Sequence, residues 1–289
     1  MSGAELRLPA ALGELAALRL GTPGAAPVLA LHGWLDNAAS FVPIAPCLRG
    51  PLDLVALDLP GHGRSARLGP GAEYSPWVAL TAILDAADAL GWERFALLGH
   101  SMGAGLASLL AVACPQRVAR VVCIEALGGL GEDPGEAPAR LRKAMEAARA
   151  PSRRGPRVFP DLDVPVRARI HANQLSEASA RLLVERGTVA VEGGWQWSTD
   201  PRLILPALYR ASHAQVDAIV AALACPALVV LADPAQPYWP EPLRSARSAR
   251  LPHGRRVVLP GHHHLHMDRP ETVAAAIGDF LLADGEGPD

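Results

Sequence analysis

Phe95-Ala96-Leu97-Leu98-Gly99-His100-Ser101-Met102-Gly103-Ala104-Gly105 decides how the chain is read. An apolar, strand-like run ends in Gly-x-Ser-x-Gly and passes straight into the helical pattern of residues 106–113. Strand, tight turn and helix in that order lift Ser101 out of the sheet on a strained turn. The small residues on both sides let the helix pack on the strand without side-chain collision. A glycine-rich turn with an incidental serine shares the five-residue pattern, but the flanking strand and helix favour the elbow.

Upstream, Pro27-Val28-Leu29-Ala30-Leu31 is a short apolar strand ending at His32-Gly33, and residues 52–57 form another ending at Asp58. Residues 6–8 and 15–20 open the chain as a pair of strands, and residues 77–90 have helical periodicity. Downstream, residues 118–124, 227–231 and 257–259 read as three more apolar strands, followed by a helix over 270–282. Near-continuous apolar strands alternating with helices predict an α/β chain with a mostly parallel sheet covered on both faces. Residues 127–202 break the alternation. Gly and Pro punctuation there separates helix-like pieces at 139–148 and 176–186, with no sheet-type strand, which predicts a helical cap inserted into a core of residues 1–126 and 203–289.

The 289 residues suffice for one large α/β domain, and half are hydrophobic. With 27 basic and 29 acidic residues the charge is nearly balanced, so neither nucleic acid nor an anionic membrane is an expected partner. Lys143 is the sole lysine, and the Arg, Ala, Gly and Pro richness has the bias of a GC-rich bacterial genome. Arg140, Arg142, Arg149, Arg153, Arg154 and Arg157 read as a solvated face ahead of an anion-binding patch. Cys47, Cys114, Cys123 and Cys225 lie in or beside apolar segments, have no CxxC spacing and read as buried reduced thiols. Met1-Ser2-Gly3-Ala4-Glu5 has no basic, then apolar, leader, so a cytoplasmic location is expected, and residues 284–289 are expected to fray. The uncharged run 95–115 is long enough to suggest a membrane span, but the Gly, His and Ser of the turn interrupt it.

His32-Gly33-Trp34, Gly99-His100-Ser101-Met102-Gly103 and Gly261-His262-His263-His264-Leu265-His266-Met267-Asp268-Arg269-Pro270 stand in the order found in α/β-hydrolases, and the chain resembles that superfamily along nearly its whole length. Residues 32–41, with Gly193-Gly194-Trp195-Gln196-Trp197 and Asp200-Pro201-Arg202-Leu203, resemble the serine hydrolase-like group. The resemblance implies Ser101 as nucleophile and His263 as general base. For the acid it implies a site a few residues past the strand 227–231, where Ala235 stands, with Asp233 two residues early and followed by Pro234. Glu125, ending the strand 121–125, is the preferred alternative, because a carboxylate at the end of an apolar strand is costly unless paired.

The residues carry their own logic. Gly33 lets backbone approach a substrate carbonyl, and the N–H groups of Trp34 and Met102 can hold a developing oxyanion. Gly33, Leu35 and His100 are candidates for the substrate-facing surface, and His62 and His100 read as structural or pocket-lining. The histidines at 262, 263, 264 and 266 share one loop without a carboxylate or cysteine at ligand spacing, so no metal and no cofactor is expected. Serine at 101 excludes chemistry that needs an aspartate nucleophile, and residues 127–202 hold no tyrosine to serve as an epoxide-opening acid. The expected function is hydrolysis of a small-molecule carboxylic ester, thioester or lactone through an acyl-enzyme. A carbon–carbon bond hydrolase or cofactor-free haloperoxidase would use the same triad, and a catalytically silent binding scaffold is the contrasting class. Oligomeric state leaves no mark on the sequence.

Overall fold

The computed structural model describes residues 3–150 and 157–282. The first two residues, Arg153, Arg154 and the tail from 284 lie outside the described residues. The elements are β1 (Ala4–Leu8), β2 (Leu15–Arg19), β3 (Ala26–Leu31), β4 (Leu52–Leu57), α1 (Pro76–Ala89), β5 (Phe95–His100), α2 (Met102–Ala113), β6 (Val118–Ile124), α3 (Ala137–Arg149), β7 (Val158–Phe159), α4 (Asp163–Asn173), α5 (Glu177–Gly187), β8 (Thr188–Val191), β9 (Gly194–Trp197), α6 (His213–Ala221), β10 (Ala227–Asp233), α7 (Leu243–Ser248), β11 (Gly254–Pro260), α8 (Leu265–Asp268) and α9 (Pro270–Ile277).

Eight strands form one sheet in the order β1-β2-β4-β3-β5-β6-β10-β11. The pairs β1/β2 and β2/β4 are antiparallel and the rest run parallel. Alternation along each strand divides the apolar side chains between two cores. Leu29, Leu31, Leu97, Val121 and Leu231 pack with the inner faces of α1 and α2, whereas Val28, Ala30, Leu98, Val122 and Val230 pack with α9 and Phe41. Burial on both faces explains why these strands read as continuous apolar runs.

The elbow is set by backbone contact. A Cβ on Gly103 would fall 1.9 Å from the Leu31 carbonyl oxygen, and one on Gly99 would fall 2.5 Å from the backbone of Ala104. Only glycine lets α2 start this close to the ends of β3 and β5.

The helical expectation for residues 127–202 is corrected. Besides α3, α5 and the additional helix α4, this stretch forms a three-stranded antiparallel sheet, β7-β9-β8. Thr188, Val189 and Val191 favour extended backbone, and Gly193 (φ 83°) and Gly194 (φ 143°) close the hairpin onto Trp195 and Trp197. A Cβ on Gly194 would meet the Phe159 carbonyl oxygen at 2.0 Å, so this glycine admits β7. A third apolar cluster, Val166, Leu175, Ala180, Leu183, Val184 and Met267, joins α4 and α5 to α8. Among the arginines of this stretch, Arg140 pairs with Glu132 and Arg157 lies over Phe159, while Arg142 and Arg149 are exposed.

The last helix stops at Ile277, short of the expected 282, where Gly278 (φ 57°) turns the chain. No helix among the described residues is long and apolar enough to cross a membrane. The four cysteines are unpaired, but only Cys123 is fully buried, and burial raises its thiol pKa to about 12; Cys47, Cys114 and Cys225 are half-buried, against the expectation of burial for all four.

Gly103→Ala is expected to destabilise the fold by at least about 3 kcal/mol, the upper end for overpacking, because a carbonyl fixed in a parallel ladder cannot rotate away. Gly129, with open space where a Cβ would go, provides the contrast, and Gly129→Ala should leave the urea midpoint almost unchanged.

Candidate active site

Ser101 sits between β5 and α2 with φ 50° and ψ −115°, a conformation a non-glycine residue holds only when its surroundings impose it. Its N–H donates to the Ile124 carbonyl at 2.8 Å and its own carbonyl accepts from Ala104 and Gly105 at 3.0 and 3.1 Å. Those backbone bonds fix the turn. The hydroxyl does not cap the helix and is partly exposed.

His263 follows β11 on the loop into α8. Its Nδ1 lies 3.2 Å from Glu125 Oε2. Glu125 continues from β6 with φ 59° and is 3 % exposed. Its N–H donates to the Val230 carbonyl at 2.9 Å, and its Oε1 accepts from the Ala232 N–H at 2.5 Å. One carboxylate oxygen is held by the neighbouring strand, leaving the other for the imidazole. Asp233 is exposed, and among the described residues its carboxylate has no hydrogen-bond or ion-pair partner. The structure therefore brings Glu125 to His263 and leaves Asp233 apart. Ser101 Oγ and His263 share no hydrogen bond; such bonds are often long without substrate and tighten in the complex.

The loop after β3 supplies a backbone donor. The Gly33 carbonyl accepts from His32 Nδ1 at 2.7 Å and from the Asp36 N–H at 3.1 Å. Because a trans peptide holds its C=O and N–H on opposite sides, fixing this carbonyl aims the Trp34 N–H the other way. His32 Nε2 accepts from the Leu59 N–H at 3.1 Å, so the ring is the neutral Nδ1–H tautomer, in keeping with burial that pushes its pKa down to about 3. The Met102 N–H stands at the first helical position, one of four donors left without an intrahelical acceptor. Leu35 is half-buried in left-handed backbone (φ 61°). Trp34 is 53 % exposed, its indole N–H on the Leu203 carbonyl at 3.0 Å. That carbonyl belongs to the 3-10 turn Pro201–Ile204, capped by Asp200, which also binds Arg202 and the Tyr74 hydroxyl.

His100 departs from its expected place on the substrate-facing surface. It is fully buried, and its Nε2–H donates to the His263 carbonyl at 2.9 Å. Burial, reinforced by the neighbouring His266, His263 and His264, holds its pKa well below the ordinary histidine value. It supports the base from beneath. His62 is buried with Nδ1 on the Pro60 carbonyl at 3.1 Å, and burial lowers its pKa to about 4.

Three participants left no clear signal in the sequence. Tyr238 places its hydroxyl 3.1 Å from His263 Nδ1 and 3.4 Å from Nε2. Asp36 accepts from His264 Nε2 at 3.0 Å and from Arg169 of α4. The carboxylate missing from the histidine run thus arrives by tertiary contact. Asp36, His100 and His264 offer three ligating atoms within 4.8 Å of one another. Arg169 binds the same carboxylate through Oδ1, and a Cβ on Gly33 would lie 2.9 Å from both Asp36 Oδ2 and His100 Nδ1, so the backbone of Gly33 stands close against the space between them.

A model of the alpha/beta hydrolase fold matches residues 26–190, and the chain belongs to the α/β-hydrolase fold family. It is 31% identical to serine hydrolase-like protein 2 of Homo sapiens across 96% of this chain and 93% of that protein. A hypothetical protein from Pseudomonas aeruginosa PAO1 is 40% identical, with a TM-score of 0.89 and coverage of 96% of this chain and 99% of that one. The thioesterase domain from the curacin biosynthetic pathway is 25% identical with a TM-score of 0.85, covering 96% of this chain and 99% of that domain.

Glu125→Gln should lower kcat by roughly three to four powers of ten, the scale seen when a triad acid becomes an amide and the imidazole loses its tautomer and counter-charge. Asp233→Asn should stay near wild type in steady-state ester hydrolysis. Stability should also fall with acid. His32 and His62 have folded pKa values near 3 and 4 against 6.5 when unfolded, so between those limits the unfolded chain binds protons that the fold refuses. Their contribution is intact above about pH 6.5 and lost below it, at up to about 1.4 kcal/mol per pH unit for each ring. Urea midpoints at pH 7.5, 6 and 5 measure this.

Proposed function

We propose that the protein is a serine hydrolase of carboxylic esters or thioesters that works through an acyl-enzyme on Ser101. The observation that carries this reading is the pairing of His263 Nδ1 with a buried Glu125 carboxylate at 3.2 Å, beside a serine in strained elbow backbone whose hydroxyl no helix cap consumes.

His263, as the Nδ1–H tautomer directed at Glu125, presents the Nε2 lone pair to the Ser101 proton. As Ser101 Oγ attacks the substrate carbonyl, the proton passes to Nε2 and Glu125 stabilises the imidazolium. The Trp34 and Met102 N–H groups meet the oxygen that becomes charged in the tetrahedral intermediate, and loss of one such donor costs about 10²–10³ in rate. The imidazolium then protonates the departing alcohol or thiol. Water, deprotonated by His263, releases the acid by the same steps. Likeness to a thioesterase domain at 25% identity supports keeping thioesters within the substrate class. Residues 127–202 act in this reading as a cap that selects the acyl and alcohol groups.

Ser101→Ala should abolish both turnover of an aryl ester chain-length series and labelling by a fluorophosphonate, with the thermal midpoint preserved because the hydroxyl contributes no packing. Residual turnover near wild type would overturn the assignment. Labelling of the wild type without turnover of any aryl ester would narrow the substrate to the thioester branch, tested next with acyl thioesters.

A further inference from the structure

We propose that Arg169, on α4 and distant in sequence from every triad member, is a positioning residue that acts through Asp36 to hold the base loop and the oxyanion loop in working register. The proposal rests on the reading of Ser101, His263 and the Trp34 N–H given above.

Asp36 is 2 % exposed, and apart from Arg169 its named polar neighbours Gly33, His264 and His100 each belong to one or other part of the site. Its N–H donates to the Gly33 carbonyl, the acceptor that orients the Trp34 N–H. Its Oδ2 accepts from His264, the residue next to the base, and faces His100 Nδ1 at 3.7 Å. Its Oδ1 accepts from Arg169, whose side chain is 14 % exposed. A carboxylate this deep needs a positive partner.

Two of the neighbouring histidines, His100 and His266, do not supply that charge. His100 spends its proton on the His263 carbonyl and so turns a bare lone pair toward Asp36. Burial likewise keeps His266 well below the ordinary histidine range, and its Nε2 is engaged with Ser40 Oγ at 2.7 Å. Burial alone would raise Asp36, but His264 and Arg169 outweigh it and hold the group ionised. Arg169, permanently charged, is the partner that does not depend on a histidine proton.

The second contact between the same helices and the base loop points the same way. Asp268 of α8 accepts from the Ser176 and Ser179 hydroxyls at 2.7 and 2.6 Å, and Met267 packs among Val166, Leu183 and Val184. Helices α4 and α5 therefore grip the segment that follows His263 through Met267 and Asp268, while Arg169 reaches the same loop through Asp36, which holds His264.

Arg169→Met keeps much of the aliphatic stem and removes the charge. It is expected to lower kcat and the fluorophosphonate labelling rate together by about 10²-fold, the scale of an ångström-sized misplacement of reacting groups. KM should stay within a few-fold, since the guanidinium does not face substrate. Arg169→Lys should recover part of the rate. In the Asp36→Asn background, Arg169→Met should cause no further loss, because its effect passes through that carboxylate. If Asp36→Asn does not fold, His264→Ala, which cuts the link from Asp36 to the base loop, takes its place in the cycle, and Arg169→Met should cost less there than in the wild type. Equal losses from Arg169→Met in both backgrounds, a rise in KM at constant kcat, or unchanged kinetics would each overturn the proposal. Ser101→Ala run alongside separates the two assignments: turnover retained there removes the nucleophile, whereas turnover abolished there with full kcat in Arg169→Met removes only the role of Arg169.

Discussion

The approach of Gly103 to the Leu31 carbonyl oxygen is the constraint from which the rest of the site follows. With no side chain between them, α2 begins almost on the end of β3, and the turn that joins it to β5 must hold Ser101 at φ 50°. The same closeness brings the Met102 N–H, at the start of α2, beside the loop that carries Trp34. Strain at the serine is balanced by backbone hydrogen bonds on both sides, so Ser101 is held by the sheet rather than by its own side chain.

Around that point the protein concentrates histidines and limits charge. His32, His62, His100 and His266 are all buried, and burial holds each below the ordinary imidazole pKa, so they act as neutral hydrogen-bonding wedges. Their protons are directed at backbone carbonyls where those are in reach, as at Gly33, Pro60 and His263. Two of the buried carboxylates, Glu125 and Asp36, are handled differently. Glu125 is held by a backbone N–H and meets the partly exposed His263, whereas Asp36 is neutralised from a separate helix. That division keeps one carboxylate for His263 and uses the other as a structural junction.

Much of this was legible along the chain. The continuous apolar strands and the Gly-x-Ser-x-Gly elbow rest on short-range patterns, whereas the choice of His263 from four neighbouring histidines rests on the resemblance to α/β-hydrolases. Glu125 was favoured over Asp233 because a carboxylate ending an apolar strand asks for a partner. The hairpin β8/β9 was less legible, since its paired glycines sit between short segments whose extended state depends on pairing across the turn and with β7. Between the substrate-facing and the structural readings of His100 the local sequence does not choose, since a histidine between glycine and serine has the same neighbours whether it points up or down; its full burial selects the structural one.

The sequence by itself determined the sheet, the elbow and the nature of the reactive groups, because those depend on periodicity, on where a Cβ is tolerated and on side-chain chemistry within a few residues. Only the tertiary structure decided which charges meet. Arg169 and Asp36 are 133 residues apart, and Tyr238 reaches His263 across 25. No local pattern encodes such a contact, because burial and direction, which turn a guanidinium into the counter-charge of one particular carboxylate, exist only once separate elements have packed.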